Sequence, residues 1–451
     1  MLGVPPNGGV DEQDHLVRAA ATVRGDIDGT GLTRPDDPVR VYDVPIEFKG
    51  PINFCWARHP EQDASCMGFQ YPPDERPFAY NGYYPPTYFA LVGWPSLLVH
   101  GFNAVRPIRL VSLMLSLALI VWSLVSVKRR WGESAALVLG SAITPMTLFL
   151  SATVNPQGLE LSSALAVWVG ATLLLDPSPG MALRRSDRAL LVVGGLTLVT
   201  TRPLGTVFWV VALVVVALSW GMVNPLRWVR RREIVGVTAT AMLVAAILAW
   251  RGTATIENGT YAHDVGIAEV AGRAVVDAYR YLLDAVGRIG WLEIPPPTPV
   301  VIIWTLLMAA GVWAILLRGS RARRWALAAL AAAYFVIQVG ISWSQVNLNG
   351  LNWQGRYGLP LLIGVPVLAV PIVKARVDAR AGAAVVASVG VGLFASFYMA
   401  LRRWTVGTNG PIWYAFSARW VPPLPAWMVV ATAAVGALLV ATAGVSRQAP
   451  K

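Results

Sequence analysis

The chain divides into a polar opening segment and a series of apolar runs. Residues 1–86 are polar and turn-rich, and eleven mostly apolar runs follow. Because the hydrocarbon core of a bilayer takes roughly 17 to 25 apolar residues per helix, each run predicts a membrane-spanning helix. The pattern predicts an all-α, polytopic bundle of about 11 transmembrane helices. The runs are 107–127, 133–152, 157–175, 188–202, 204–221, 234–250, 298–317, 324–343, 357–373, 382–401 and 425–445.

Two of these runs are too short to be ordinary spans. Arg202-Pro203 separates 188–202 from 204–221, and proline lacks the amide proton that a helix interior uses. The pair therefore predicts two half-helices that form a broken or re-entrant hairpin.

Composition and charge agree with a membrane protein and predict its orientation. The chain is 55% hydrophobic and 14% charged, with a net charge of +12, whereas soluble domains carry about 25% charged residues. The positive charge recurs in alternate short loops, which the positive-inside rule places in the cytoplasm. This spread over many loops argues against nucleic-acid binding. The clusters are Lys128-Arg129-Arg130, Arg184-Arg185 with Arg188, Arg230-Arg231-Arg232, Arg321 with Arg323-Arg324, and Lys374 with Arg376 and Arg380.

The same rule predicts a multi-pass protein of the cytoplasmic (inner) membrane with a cytoplasmic C terminus. Residues 1–106 form an extracytoplasmic first loop, and residues 107–451 form the transmembrane domain. A polar segment of this length needs a signal peptide or a preceding helix to cross a membrane, and residues 1–6 resemble neither. We therefore expect a first transmembrane helix upstream. The outward-facing loops are 153–157, 251–297, 344–356 and 402–424.

Three outer stretches predict helices at the membrane surface. Asp11 is suited to cap a helix over 11–24, and 87–104 is apolar enough for an interfacial helix. The long outer loop 251–297 contains an amphipathic candidate at 267–289, in which Asp277 with Arg280 and Asp284 with Arg288 have the spacing of helix-surface pairs. The same loop carries a glycosylation sequon, Asn258-Gly259-Thr260.

Both cysteines of the chain, Cys55 and Cys66, lie in the first outer loop. An oxidising exterior permits a disulfide between them, closing a short structural loop. Two free thiols are the alternative. Neither cysteine has the spacing of a metal site.

An acidic cluster opens the chain: Asp11, Glu12 and Asp14, followed by His15. Carboxylates beside a membrane are costly unless they are solvated, paired or bound to a cation. The functional interpretation is a general base, or a divalent-metal site, that deprotonates an acceptor hydroxyl. The structural alternative is an acidic first turn that stabilises a helix dipole.

Further candidates lie at the outer ends of the predicted helices. Arg356, between Gln354 and Tyr357, can bind phosphate as a bidentate donor or anchor to lipid headgroups. Arg202 can face a cavity at the helix break or simply end a helix. Asn155 can bind sugar hydroxyls or close a tight turn, and Trp291 can stack on a sugar or lie at the interface.

Several mechanisms lack support in the sequence. It has no phosphate-cradling glycine loop, no dinucleotide fingerprint, no Cys/His metal spacing and no paired ionisable residues deep inside the predicted helices. The last absence argues against an ion-coupled transporter, and the four histidines show no hydrolase pattern.

The order of these motifs resembles a known family. The motifs are Asp11-Glu12 with His15, Tyr84-Pro85-Pro86-Thr87-Tyr88, Arg109-Leu110, Asn155-Pro156-Gln157-Gly158, and Gln354-Gly355-Arg356-Tyr357 running into Pro360. In this order they resemble DUF2142, a bacterial family of membrane proteins of unknown function that is grouped with the GT-C glycosyltransferases. The likeness covers nearly the whole chain, apart from the first helix that the family pattern has and this sequence lacks.

The resemblance implies a GT-C-like fold and a catalytic carboxylate in the first outer loop, here Asp11 with Glu12. That carboxylate acts as a base or holds a divalent cation such as Mg²⁺ or Mn²⁺. The donor is a sugar on polyprenyl phosphate, with Arg356 and Arg202 as phosphate ligands. The remaining substrate-binding candidates are His15, Tyr84, Asn155, Trp291, Gln354 and Tyr357.

The resulting hypothesis is an inverting membrane glycosyltransferase that acts on a cell-envelope glycan acceptor at the outer membrane face. Two alternatives belong to other classes: a flippase or exporter of lipid-linked sugars, and a non-catalytic envelope-assembly protein. A transferase requires the carboxylate and the arginine on the same side of the bundle.

Overall fold

The computed structural model describes residues 1–32, 39–51, 55–69, 71, 75–176, 183–221, 232–251, 265–350, 353–373 and 379–443. Within these ranges the chain is predominantly helical. The helices are α1 (Glu12–Thr22), α2 (Thr87–Gly93), α3 (Val105–Trp131), α4 (Glu133–Leu139), α5 (Pro145–Ser151), α6 (Pro156–Leu175), α7 (Arg185–Thr201), α8 (Gly205–Ser219), α9 (Arg232–Arg251), α10 (Ile267–Val276), α11 (Ala278–Val286), α12 (Thr298–Arg318), α13 (Arg321–Asn349), α14 (Leu359–Leu362), α15 (Gly364–Val373), α16 (Ala379–Val406) and α17 (Ala426–Ala443).

Six helical segments in the described residues are long and apolar enough to cross a membrane, or seven if one bent pair counts as a span. Two of the other apolar helices, α8 and α17, are shorter. The membrane-bundle prediction is confirmed, whereas the count of eleven spans stays a prediction. The six are Gly101–Trp131, Pro156–Leu175, Thr298–Arg318, Arg321–Val346, Gly355–Val373 and Arg380–Val406.

The run predicted at 133–152 is divided, since α4 and α5 meet at an angle of 75°. Proline occupies the start of α5, where a helix tolerates it. The Thr144 hydroxyl caps this helix by accepting from the amide of Thr147 at 3.2 Å. The cap begins a new helix where hydropathy alone predicts continuity.

The break predicted at Arg202-Pro203 is confirmed. Helix α7 ends at Thr201, Arg202 has extended backbone angles, and α8 begins at Gly205. The arginine side chain pairs with Glu160 of α6.

Helix α6 forms the centre of the bundle, because every one of its residues is buried. A Cβ on Gly170 would lie 2.9 Å from the backbone of Leu191, so this glycine lets α7 approach closely. By contrast, α12 and α17 expose large apolar side chains such as Trp313 and Leu438, each 63% exposed. Such surfaces are typical of lipid-facing helices.

The segment that precedes α3 is built mostly from short elements. Strands β1 (Thr30–Gly31), β2 (Arg40–Val41) and β3 (Phe78–Ala79) form an antiparallel sheet in that order. Short 3₁₀ turns occur at Ile46–Lys49, Ala64–Cys66, Trp94–Leu97, Gly101–Ala104, Gly140–Ala142, Gly355–Gly358 and Tyr414–Phe416.

The three predicted surface helices differ in outcome. The helix expected over 11–24 is α1. The stretch 87–104 is α2 followed by two 3₁₀ turns, because Pro95 and Gly101 interrupt it. The stretch 267–289 is two helices, α10 and α11, which meet at Asp277.

Cys55 and Cys66 are bonded in a disulfide. Arg403 of α16 fastens the loop that they close, because its guanidinium donates to the carbonyls of Gln62, Trp56 and His59 and pairs with Glu293 at 2.9 Å. The segment that precedes α3 therefore packs directly on the bundle.

Two of the basic loops that are predicted to be cytoplasmic meet at one end of the bundle. Arg129 pairs with Asp187 at 2.8 Å, and Arg130 pairs with Asp176 at 2.6 Å. Other sequence predictions lie outside the described residues: Arg230-Arg231, Lys374, Arg376, the C-terminal 446–451 and Asn258-Gly259-Thr260.

Candidate functional site

The predicted site residues come from distant parts of the chain, and most of them meet at one end of the bundle. The contributing segments are the start of α1, the Tyr83-Tyr84 loop, the first turn of α6, the α7–α8 break and the 3₁₀ turn Gly355–Gly358. The topology predicts all five on the same side of the membrane.

Glu12 is fully buried and paired with Arg109 of α3. Its Oε2 lies 2.5 Å from Nη2 of Arg109, and its Oε1 accepts from Nε of Arg109 at 2.7 Å. The amides of Val154 and Gly9 donate to the same carboxylate at 2.9 and 3.3 Å. This environment does not suit the catalytic role predicted for Glu12, because its lone pairs are already engaged.

Asp11 is exposed and has left-handed backbone angles (φ 58°). It occupies the N-cap position of α1, but its side chain makes no capping hydrogen bond. Its carboxylate is close enough to Tyr357 and Asp14 to interact electrostatically with both side chains. Asp11 therefore presents a carboxylate at the exposed edge of the site.

The other two members of the opening cluster are buried. Asp14 accepts from the amide of Tyr80 at 3.2 Å, and burial raises the pKa of its carboxyl to about 7. Nδ1 of His15 lies 2.5 Å from the Asn81 amide nitrogen. Burial, and then the neighbouring charge of Arg202, hold the pKa of His15 well below its usual value. The imidazole is therefore neutral at pH 7.

Arg202 reaches from the helix break to the first turn of α6. Its Nη1 lies 2.6 Å from Oε2 of Glu160, and its Nη2 donates to the Tyr84 hydroxyl at 3.3 Å. The guanidinium carbon is 5.5 Å from the Tyr84 ring centroid and 5.6 Å from that of Tyr357. Arg202 is thus compensated by one carboxylate and framed by two aromatic rings.

Arg356 is only 2% exposed. Its Nε donates to the neutral amide oxygen of Gln354 at 2.6 Å, and its guanidinium carbon lies 5.2 Å from the Tyr357 ring centroid. Its charge acts on Glu160 and Asp284, but within the described part of the chain no carboxylate forms a salt bridge with it. Among the residues that the structure describes, Arg356 is therefore a buried cation without a carboxylate partner.

A chain of hydrogen bonds links Arg356 to the residue before Asp11. The Arg356 carbonyl accepts from the side-chain amide of Gln157 at 2.9 Å. The backbone amide of Gln157 donates to the side-chain oxygen of Asn155, also at 2.9 Å. The Asn155 side chain then donates to the carbonyl of Val10 at 3.1 Å. Asn155 is thus part of the framework that joins the acidic and the basic residues.

Trp291 contacts the first residues of the chain. Its indole donates to the Asn7 carbonyl at 2.9 Å, so it packs on the segment that leads to Asp11. Its predicted role in stacking on a sugar stays a prediction.

Sequence reasoning missed three members of the site. Glu160 is a single carboxylate in the apolar run 157–175, and this was a usable signal. Its pair with Arg202 lies at the end of the bundle, between the start of α6 and the α7–α8 break. Gln157 carried no such signal. Tyr83, 45% exposed, packs edge-on against Tyr84 at 4.9 Å between ring centroids.

A divalent cation held jointly by Asp11 and Glu12 does not fit this arrangement. Glu12 is engaged by Arg109. Among the described residues, no group of three or more His, Cys, Asp or Glu side chains could hold a metal ion.

The fold and the site together define a polytopic α-helical membrane protein with a buried cationic site at one end of its bundle. The chain belongs to the family described as Predicted membrane protein (DUF2142), which residues 2–365 match. A comparison with curated proteins finds no match.

Two solved structures of ArnT from Cupriavidus metallidurans are similar to the chain at 16% identity. One is in the apo state, with a TM-score of 0.43, and the other is bound to undecaprenyl phosphate, with a TM-score of 0.42. Each alignment covers 80% of this chain and 61% of the ArnT chain.

Proposed function

We propose that the protein is an inverting membrane glycosyltransferase. It transfers a sugar from a polyprenyl-phosphate donor to a cell-envelope glycan acceptor on the outer face of the cytoplasmic membrane. The observation that carries this proposal is the buried Arg356, to which no carboxylate in the described residues forms a salt bridge. It lies in one cluster with Arg202 and is joined through hydrogen bonds to the segment that bears Asp11.

The charge balance of the cluster favours an anionic ligand. Among the buried groups of the cluster that the structure describes, Glu160 neutralises Arg202 and His15 is neutral, so the guanidinium of Arg356 is left as the buried positive charge. An unpaired buried charge costs several kcal/mol. A phosphate group offsets this cost and can displace the amide oxygen of Gln354 from the guanidinium.

Asp11 is the residue best placed to serve as the general base that accepts the hydroxyl proton. In the proposed reaction the acceptor hydroxyl oxygen bonds to the anomeric carbon while the bond from that carbon to the phosphate oxygen breaks. The hydroxyl proton passes to the Asp11 carboxylate, and the polyprenyl phosphate leaves with the bonding electrons. Arg356 and Arg202 stabilise the charge that develops on the phosphate, and a single displacement inverts the anomeric centre.

The rim of the cluster suits a sugar. Tyr84 and Tyr357 flank the guanidinium of Arg202, Tyr83 packs against Tyr84, and all three tyrosines retain partial exposure. Aromatic rings with polar edges bind sugars through their apolar faces and their hydroxyl groups.

The phosphate role is tested with undecaprenyl phosphate as the probe. The protein, in lipid nanodiscs, is titrated with this lipid and its dissociation constant is measured by native mass spectrometry. Arg356→Gln is expected to weaken binding about 10- to 100-fold, because it removes a charge-assisted contact. Asp11→Asn, which retains both arginines, is the matched control and should bind as the wild type does. Equal affinity of Arg356→Gln and wild type would contradict the proposal.

A further inference from the structure

Helix α11 of the outer loop touches the turn that carries Arg356. Asp284, near the end of α11, is 1% exposed, and its Oδ2 accepts from the amide of Gly355 at 3.3 Å. A Cβ on Gly355 would lie only 1.8 Å from the carbonyl oxygen of Tyr281. The helix and the turn therefore meet backbone to backbone, and only glycine fits at this point.

The same helix is anchored to the bundle on its other side. The Thr144 hydroxyl, which caps α5, donates to the carbonyl of Ala285 at 3.2 Å. Nε of Arg288 lies 3.5 Å from Oδ1 of Asp284 and balances its charge. Asp284 thus has a fixed place between the bundle and the turn.

The hydrogen bond from Gly355 to Asp284 involves the residue directly before Arg356. The Gly355 amide stands at the start of the 3₁₀ turn Gly355–Gly358, where a backbone donor has no partner within the turn. The Asp284 carboxylate satisfies this buried donor and thereby fixes the turn relative to α11. Without Asp284, the turn loses this hydrogen bond to α11, and the Gly355 backbone that precedes Arg356 is held less firmly.

We propose that Asp284 is a positioning residue for the anion site and couples the outer-loop helix α11 to Arg356. A displacement of α11 then changes the affinity of the site for phosphate. The inference rests on the proposed function, since it assumes that Arg356 binds the phosphate of a lipid-linked donor.

The first test measures the hydrogen bond itself, without any ligand. Hydrogen–deuterium exchange, resolved to single residues, is recorded for the wild-type protein in nanodiscs. The Gly355 amide is expected to exchange slowly, and Asp284→Ala is expected to accelerate it. Rapid exchange of the Gly355 amide in the wild type would overturn the proposal, whether or not the variant folds.

The second test measures undecaprenyl phosphate binding by three variants. Asp284→Ala should weaken binding by about 2- to 30-fold, the range of such couplings. Asp284→Asn, which keeps an acceptor for Gly355 but removes the charge, should bind at least as tightly as the wild type. Glu269→Ala, a surface carboxylate on α10 paired with Arg273 at 2.9 Å, should have no effect.

Two outcomes of this titration would overturn the positioning role. Tighter binding by both Asp284→Ala and Asp284→Asn would show that Asp284 acts through its charge alone. Unchanged binding by Asp284→Ala would show no coupling. If the wild type itself fails to bind the probe, the proposed function fails, and the exchange measurement still decides the contact between α11 and the turn.

Discussion

At the residue scale, the environment separates two neighbouring carboxylates that the sequence presents as a pair. Glu12 is enclosed by Arg109 and two backbone amides, whereas Asp11 is exposed and makes no capping bond. The sequence identified this acidic cluster as a candidate catalytic site, and it identified Arg202 and Arg356 as candidate phosphate ligands. Which carboxylate is engaged could not be predicted, because Arg109 lies 97 residues away along the chain.

Asp14 is expected to make stability depend on pH. Burial raises the pKa of its carboxyl from 3.8 to about 7, with Asp11 adding to the rise and Lys49 and the Tyr80 amide opposing it. Between about pH 4 and 7 the folded protein therefore binds more protons at this site than the unfolded chain. Its contribution to stability is greatest below pH 4 and falls as the pH rises to 7, by at most about 1.4 kcal/mol per pH unit.

The measurement is the midpoint of thermal unfolding from pH 4 to pH 8, for the wild type and for Asp14→Asn. Other titrating groups act in both proteins, so the difference between the two curves isolates Asp14. The curve of Asp14→Asn is expected to fall less over this range. Parallel curves would contradict the assignment.

At the element scale, short polar features decide where helices end. Hydropathy located the bundle, but Thr144-Pro145 begins a new helix inside a continuous apolar run. The Arg202-Pro203 break was predictable because proline and charge coincide there. The division of 267–289 at Asp277 was not, since its amphipathic pattern continues across the junction.

The pair of Glu12 and Arg109 joins three elements: α1, α3 and the turn that precedes α6. Glu12→Gln is expected to lower the free energy of unfolding by about 3–5 kcal/mol, because it leaves a buried cation unpaired. Chemical denaturation in detergent measures this change.

Asp11→Asn is the matched control for that variant, since it alters the neighbouring, exposed carboxylate. Its unfolding free energy should stay within about 0.5 kcal/mol of the wild type, as is usual for surface changes. Equal stability of Glu12→Gln and wild type would show that the buried pair does not hold these elements together.

At the scale of the whole molecule, the fold gathers ionisable groups at two ends. The basic loops predicted as cytoplasmic pair with acidic residues at one end. At the other end, Arg202 and Arg356 lie with Glu160, His15 and Tyr84. Charge patterning predicted which segments share an end, but the pairing of Glu160 with Arg202 depends on how α6, α7 and α8 pack.

The central claim is that this second end transfers a sugar from a polyprenyl phosphate. The most direct measurement follows the release of free polyprenyl phosphate by lipid mass spectrometry. Purified protein in proteoliposomes receives a panel of polyprenyl-phosphate-linked sugars together with a cell-envelope glycan fraction as the acceptor.

The account predicts that the wild-type protein releases polyprenyl phosphate from at least one donor only when the acceptor is present. Asp11→Asn should lower that rate by about 100-fold or more, the range of a lost general base, while it still binds undecaprenyl phosphate. Movement of intact donor across the bilayer without release, or full release by Asp11→Asn, would contradict the account.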